Sequence, residues 1–171
     1  MRHNVIVRAV LFTGLASLLL DPNAAEAQFE QRVPPTACVA APNRALYYVA
    51  DGTAQSPAGG APGGAFCPLQ DNSAHPFYNA DYATLFINDN GRRSPAEHSA
   101  AQLCVTPYGV DGAFCGSLVT SPAFGYQELP LDTGYWNTTL VSGFPYVYVH
   151  LGYWTGGAGG PSSIEGITVG Y

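Results

Sequence analysis

Two short triplets carry the residues best suited to surface chemistry: Gly134-Tyr135-Trp136 and Gly152-Tyr153-Trp154. Tyr and Trp present flat apolar faces with one polar edge, the geometry that stacks on the apolar side of a pyranose ring. The 171-residue chain holds 11 Tyr, 2 Trp and 8 Phe, more than a small core needs, and the second triplet runs into the glycine-rich stretch 155–160. Tyr135, Trp136, Tyr153 and Trp154 are therefore the candidate binding residues, with a glycan or a cell-envelope component as partner. The competing reading places these rings on sheet faces and sheet ends, since aromatics favour strands in any case.

Other chemistry is thinly provided for. No G-x-S-x-G elbow is present to strain a serine nucleophile, and the absence of lysine removes Schiff-base chemistry. Asp51, Asp71, Asp81, Asp89, Asp111 and Asp132 offer carboxylates for a paired-carboxylate hydrolase. Most of them fall in turn-like sequence, where Asp serves the backbone. His75, His98 and His150 read as a loop residue, a capping-turn residue and a strand-face residue. Asp71, His75 and Asp81 in one loop, and Asn88, Asp89 and Asn90 in "NDNG", form oxygen-rich segments of the kind that extracellular calcium sites use. The second lacks the ligand run of an EF-hand, and turn chemistry explains it as economically. The expectation is a non-enzymatic protein with no catalytic residue, no resident metal and no cofactor, calcium being the one ion with any pattern in its favour.

Location is better marked than activity. Arg2 and Arg8 precede the apolar run Ala9–Leu20, which Asp21-Pro22-Asn23 ends, and Ala25-Glu26-Ala27 gives the small-x-small pattern of a signal-peptidase site. A signal peptide over 1–27 is expected, with a mature chain from near Gln28, secreted or periplasmic. The run is too short to cross a bilayer, and no later segment is apolar for long enough. Of 6 basic and 12 acidic residues, two of each lie before the cleavage point, so four arginines face ten carboxylates in the mature part. Four dispersed cations cannot neutralise a phosphate backbone, which excludes nucleic acid, and the same charge opposes anionic lipid head groups.

Cys38, Cys67, Cys104 and Cys115 form an even set in an exported chain, which implies two disulfides among three possible pairings. There is no C-x-x-C pair and no finger-spaced His to suggest zinc. Strand-like runs fold back around 108–112 and set Cys104 opposite Cys115, which leaves Cys38 for Cys67. A one-residue slip in that turn would part the facing pair.

The elements that must hold these residues look all-β. Residues 28–44 contain three prolines and no periodicity, and read as an extended arm. "ALYYVAD" (45–51) is a first strand, and the Gly/Ala/Pro-rich stretch 52–65 is a loop. "YATLFIND", "QLCVTPY", "AFCGSLVTS" and "YQELPLD" follow as short strands bounded by turn formers. In "PYVYVHLGY", Val147, Val149 and Leu151 take one face and Tyr146, Tyr148 and His150 the other. In "SSIEGITVGY", Ile164 is out of phase with Ile167, Val169 and Tyr171, and a bulge at Gly166 would restore the phase. Ser94-Pro95-Ala96-Glu97 is a capping-box sequence that allows a turn or two of helix before Cys104. The two GYW triplets read as strand-edge features. Residues 45–171 are expected to form one antiparallel β-sandwich, jelly-roll-like, of about eight strands, behind a disordered leader and arm.

Taken in order, these pieces resemble small secreted bacterial β-sandwich proteins of unknown function. The shared pattern is Cys67-Pro68-Leu69-x-Asp71, the strand at Cys104, a second cysteine after a glycine-containing turn at Cys115, Leu129-x-Leu131 and Trp136. It is completed by Tyr146-Val-Tyr-Val-x-Leu151 and the closing Ser162 or Ser163, Ile164, Gly166 and Val169. This sequence departs from the pattern in the longer stretch "LGYWTGGAGGP". The resemblance implies the sandwich and supports the Cys104–Cys115 pairing, and it carries no activity across. The expectation is a disulfide-stabilised extracellular structural or binding module without catalysis. Its alternatives are a carbohydrate-binding domain working through Tyr and Trp, and a carboxylate-dependent hydrolase.

Overall fold

The computed structural model describes residues 29–57, 63–71, 74–90, 98–109, 111–138, 143–152 and 160–171. The expected signal peptide 1–27, the capping-box residues 94–97, and Tyr153 and Trp154 lie outside the described residues.

The described chain is all-β apart from one helical turn and two short 3-10 segments. In order the strands are β1 (Glu30–Val33), β2 (Val39–Ala40), β3 (Tyr47–Tyr48), β4 (Ala54–Gln55), β5 (Gly63–Pro68) and β6 (Tyr82–Asp89). They continue with β7 (Ala100–Pro107), β8 (Phe114–Cys115), β9 (Val119–Thr120), β10 (Gly125–Leu131), β11 (Gly143–Leu151) and β12 (Ser163–Gly170). The first sheet runs β10-β6-β12-β4-β3 with β1 also on β12; the second runs β2-β5-β11-β7-β8 with β9 also on β7. Both are antiparallel, and their apolar faces meet in a single core.

That core follows from period-two patterning. Ala83, Leu85 and Ile87 of β6 and Ile164, Ile167 and Val169 of β12 line one side. Ala101, Leu103 and Val105 of β7 and Val147, Val149 and Leu151 of β11 line the other. Each Val, Leu or Ile among them contributes about 1.5–3 kcal/mol by leaving water. The out-of-phase Ile164 is accommodated as the spacing predicts. The β12–β6 register shifts between Ile164 and Gly166, and the extra residue lets Ile164 and Ile167 both turn inward.

Both disulfides form, Cys38–Cys67 and Cys104–Cys115. Cys104 and Cys115 are direct register partners of β7 and β8. Residues 30–40 of the extended arm reach both sheets, because β1 pairs along β12 and β2 pairs with β5. The Tyr171 N–H donates to the Phe29 carbonyl at 2.9 Å, so the two ends of the described chain lie side by side.

Three elements differ from the sequence reading. The arm, expected to be disordered, is ordered over 30–40 because its backbone pairs with β12 and β5 and Cys38 is bonded to Cys67. The glycine-rich stretch 52–65 is not all loop, since it contains β4 and the start of β5. Gly63 joins β5 by pairing with Leu151, and it is glycine because the chain passes Ser56 there at close range: a Cβ on Gly63 would lie 2.8 Å from the Ser56 Cβ. The first GYW triplet is not a strand edge but the helical turn α1 (Gly134–Thr138), whose Gly134 N–H donates to Asp132 Oδ1 at 2.9 Å.

Polar contacts close one end of the sandwich. Asp89, the last residue of β6, points inward with Leu85 and Ile87 and is fully buried. Its Oδ1 accepts from Ser99 Oγ at 2.9 Å and Ser162 Oγ at 3.3 Å. Its Oδ2 accepts from the Ser99 N–H at 3.1 Å and faces His98 Nδ1 at 3.0 Å. The Gly152 N–H, just past β11, donates to Ser99 Oγ at 2.9 Å. One carboxylate thus ties the ends of β6 and β12 in the first sheet to those of β7 and β11 in the second.

Candidate functional site

Two of the four candidate aromatics lie among the described residues, and they do not share a surface. Trp136 is 0% exposed, with its ring edge-on to Phe77 at 5.6 Å. It is a core residue and offers no stacking face to solvent, because α1 packs its ring inward. Tyr135 is half-buried and lines a separate polar hollow with Ser117 and Asp132. Tyr153 and Trp154 lie outside the described residues.

The oxygen-rich segments are occupied with local structure. Asp71 accepts from the Phe77 N–H at 3.2 Å, and the His75 ring stacks on Phe29 at 4.0 Å. Asp89 is committed to the buried contacts above. Among the described residues no group of three or more His, Cys, Asp or Glu is disposed to hold a metal ion. The Asp89, His98, Ser99 and Ser162 cluster contains the residue types of a hydrolytic triad, but its geometry is different. Both seryl hydroxyls donate to the carboxylate, and Ser99 and Ser162 are buried. The imidazole of His98 contacts Asp89 and stacks on Phe124 at 4.9 Å, which leaves no nucleophile in line with it among the described contacts.

The outer face of the second sheet gathers a different set. β11 turns Phe144, Tyr146, Tyr148 and His150 outward in alternation with its buried residues. Register sets Phe66 of β5 and Gln102 of β7 on either side of Tyr148, with Val39 of β2 beyond Phe66. The Phe66 ring meets Tyr146 edge-on at 5.3 Å and Tyr148 at 5.4 Å, the spacings at which aromatic pairs attract. On either side of this cluster lies a hollow. One, of about 390 Å³, is lined by Val39, Phe66, Pro68, Phe144, Pro145 and Tyr146, with Thr106. The other, of about 460 Å³, is lined by His98, Gln102, Thr120, Tyr148 and His150, with Ala100 and Leu118.

No carboxylate, lysine or arginine lines either hollow. Burial depresses the His150 imidazole below its ordinary range, Arg44 adds to the effect and Asp89 opposes it. His150 is therefore neutral at neutral pH, and works as a hydrogen-bonding group with one donor and one acceptor. The face combines aromatic rings with uncharged donors and acceptors (Gln102, Thr120, Tyr148, His150). Such a set can exchange hydrogen bonds with hydroxyl groups without pairing a charge. Sequence reading placed Tyr146, Tyr148 and His150 together on one strand face but gave them no role. Alternation locates a row on its own strand and is silent about which strands come to lie beside it.

Comparison with known proteins places the fold. No family model matches the chain, and no curated protein does. Seven solved chains match in structure. A "xylan-binding module CBM15" superposes with a TM-score of 0.53 at 14% identity, over 84% of this chain and 96% of that one. A family two carbohydrate esterase from Cellvibrio japonicus aligns at a TM-score of 0.40 and 8% identity over 34% of its own length, too loosely for a shared fold. The first likeness is one of fold, a β-sandwich of the same overall architecture.

Proposed function

We propose that the protein is a non-catalytic extracellular module that binds a neutral glycan on the outer face of its second sheet. The observation that carries this reading is the row Phe144, Tyr146, Tyr148 and His150, flanked by Phe66 and Gln102 and bordered by two hollows. Ligand sites typically pair apolar and aromatic walls with a few placed polar groups. The fold likeness to a module described as xylan-binding supports a xylan-type chain as the first ligand to try. Two disulfides fit an oxidising compartment, and the expected leader fits export. A net charge of −6 argues against polyanionic glycans and nucleic acids. Tyr153 and Trp154 are proposed as accessory contacts, because they follow His150 closely in sequence.

The test is titration calorimetry against neutral oligosaccharides, xylo-oligosaccharides included. Binding is expected, and Tyr148→Ala should weaken it about tenfold or more, a hot-spot loss, while leaving the thermal midpoint within a few degrees. Failure of every neutral oligosaccharide to bind, or wild-type affinity in Tyr148→Ala, overturns the reading.

A further inference from the structure

The two hollows are chemically unlike, and this asymmetry says something about the ligand beyond its being a glycan. The polar hollow offers Gln102, Thr120, Tyr148 and His150, enough groups to replace the water that sugar hydroxyls give up. In the other hollow only Thr106 and Tyr146 carry side-chain hydroxyls; the remaining lining residues are Val39, Phe66, Pro68, Phe144 and Pro145. A bare sugar unit placed there would give up water at its hydroxyls and find few partners in return. Phe144 is 62% exposed and Val39 56% exposed, so two large apolar side chains stand in water beside one another's hollow. The Phe144 ring is held edge-on by Tyr108 at 4.8 Å, which presents it at a set angle.

We propose that the apolar hollow is a subsite for an aromatic-sized apolar substituent carried on the glycan, such as an ester- or ether-linked aryl group. The proposal rests on the glycan reading above and adds to it a class of decorated ligand. Size is consistent: a dry cavity of roughly 150 Å³ takes one benzene ring, so about 390 Å³ holds a ring with its linker. Continuity is provided by Phe66, which lines the hollow and touches both Tyr146 and Tyr148, so a sugar stacked on Tyr148 directs a substituent toward Phe144. Thr106, opposite Phe144 in the register, is placed to donate to a linking carbonyl or ether oxygen.

The experiment titrates the wild-type protein with methyl β-xylobioside and with 4-nitrophenyl β-xylobioside, then repeats both with Phe144→Ala and Tyr148→Ala. The aryl glycoside is expected to bind at least tenfold more tightly than the methyl glycoside. Phe144→Ala should weaken the aryl glycoside more than the methyl glycoside and so erase most of that ratio. Tyr148→Ala should weaken both ligands. A wild-type ratio near one, or a Phe144→Ala loss shared equally by the two ligands, overturns the aryl subsite and leaves the glycan reading standing. Absence of binding by both ligands overturns the two together.

Discussion

Replacing Asp89 by Asn changes almost nothing in shape and one thing in chemistry. The carboxylate accepts at both oxygens: Ser99 Oγ and Ser162 Oγ at Oδ1, the Ser99 N–H and His98 Nδ1 at Oδ2. An amide keeps one acceptor. If its oxygen keeps the two hydroxyls, its NH2 group faces the Ser99 N–H, a donor that cannot turn away, in a site with no exposure at the carboxylate. A buried donor left without an acceptor costs about 1–3 kcal/mol, and a bond to a charged acceptor is worth more than a neutral one. His98 can recover by changing tautomer, so the net loss is set at about 3 kcal/mol. For a domain of this size that corresponds to about 10 °C in thermal midpoint. The assay is urea unfolding followed by tryptophan fluorescence, since Trp136 is buried, with the midpoint checked by calorimetry. Adding Ser99→Ala should produce a coupling of about 0.5–3 kcal/mol in a double-mutant cycle. An Asp89→Asn loss below 1 kcal/mol, or strict additivity with Ser99→Ala, refutes the idea that this carboxylate ties the sheet ends together.

Two further outcomes follow from the fold. Changing both Cys104 and Cys115 to Ser opens a loop closed over a separation of 11 residues and should lower stability by about 3 kcal/mol, read as a lower urea midpoint with a steeper slope, because the freed unfolded chain exposes more surface. The folded protein holds the His150 imidazole below its ordinary value, so the unfolded chain takes up that proton first as pH falls. The stability from neutral His150 is whole above about pH 6.5 and is lost as pH drops through the depressed folded value. The thermal midpoint should therefore begin to fall as pH drops below about 6.5, and His150→Gln should flatten that part of the profile; an unchanged slope contradicts the assignment.

What the sequence disclosed depended on the range of the signal. Alternation is local, so the faces of β11 and the bulge in β12 were legible from Val147, Val149 and Leu151 and from the dislocated Ile164. The Cys104–Cys115 pair was legible for the same reason, since a short hairpin fixes its own register. Strands of two residues, such as Ala54–Gln55, have no period to detect and exist only because a neighbour supplies hydrogen bonds. Asp89 was read as turn chemistry because Asn-Gly follows it. Its parity with Ala83, Leu85 and Ile87 was the available sign that it points inward. Trp136 was misjudged because a five-residue helix carries no stripe, and its ring is drawn in by Phe77 from far along the chain. The aromatic outer face of the second sheet was not legible as a face. Phe66, Gln102 and Tyr148 meet through strand order, which no local pattern encodes.

The hydrogen bond between Tyr171 and Phe29, with β1 laid along β12, has a consequence for how the chain reaches its fold. The earliest described strand finds its sheet partner in the latest one, so a chain delivered from its N-terminus must hold β1 unpaired until β12 has emerged. Contacts of such separation slow folding, because the whole intervening chain must be ordered before they form. The same adjacency permits the opposite arrangement: a short linker joining the two ends, with a new opening in a surface connection, would make β1 and β12 neighbours in sequence and should speed the closing of that sheet.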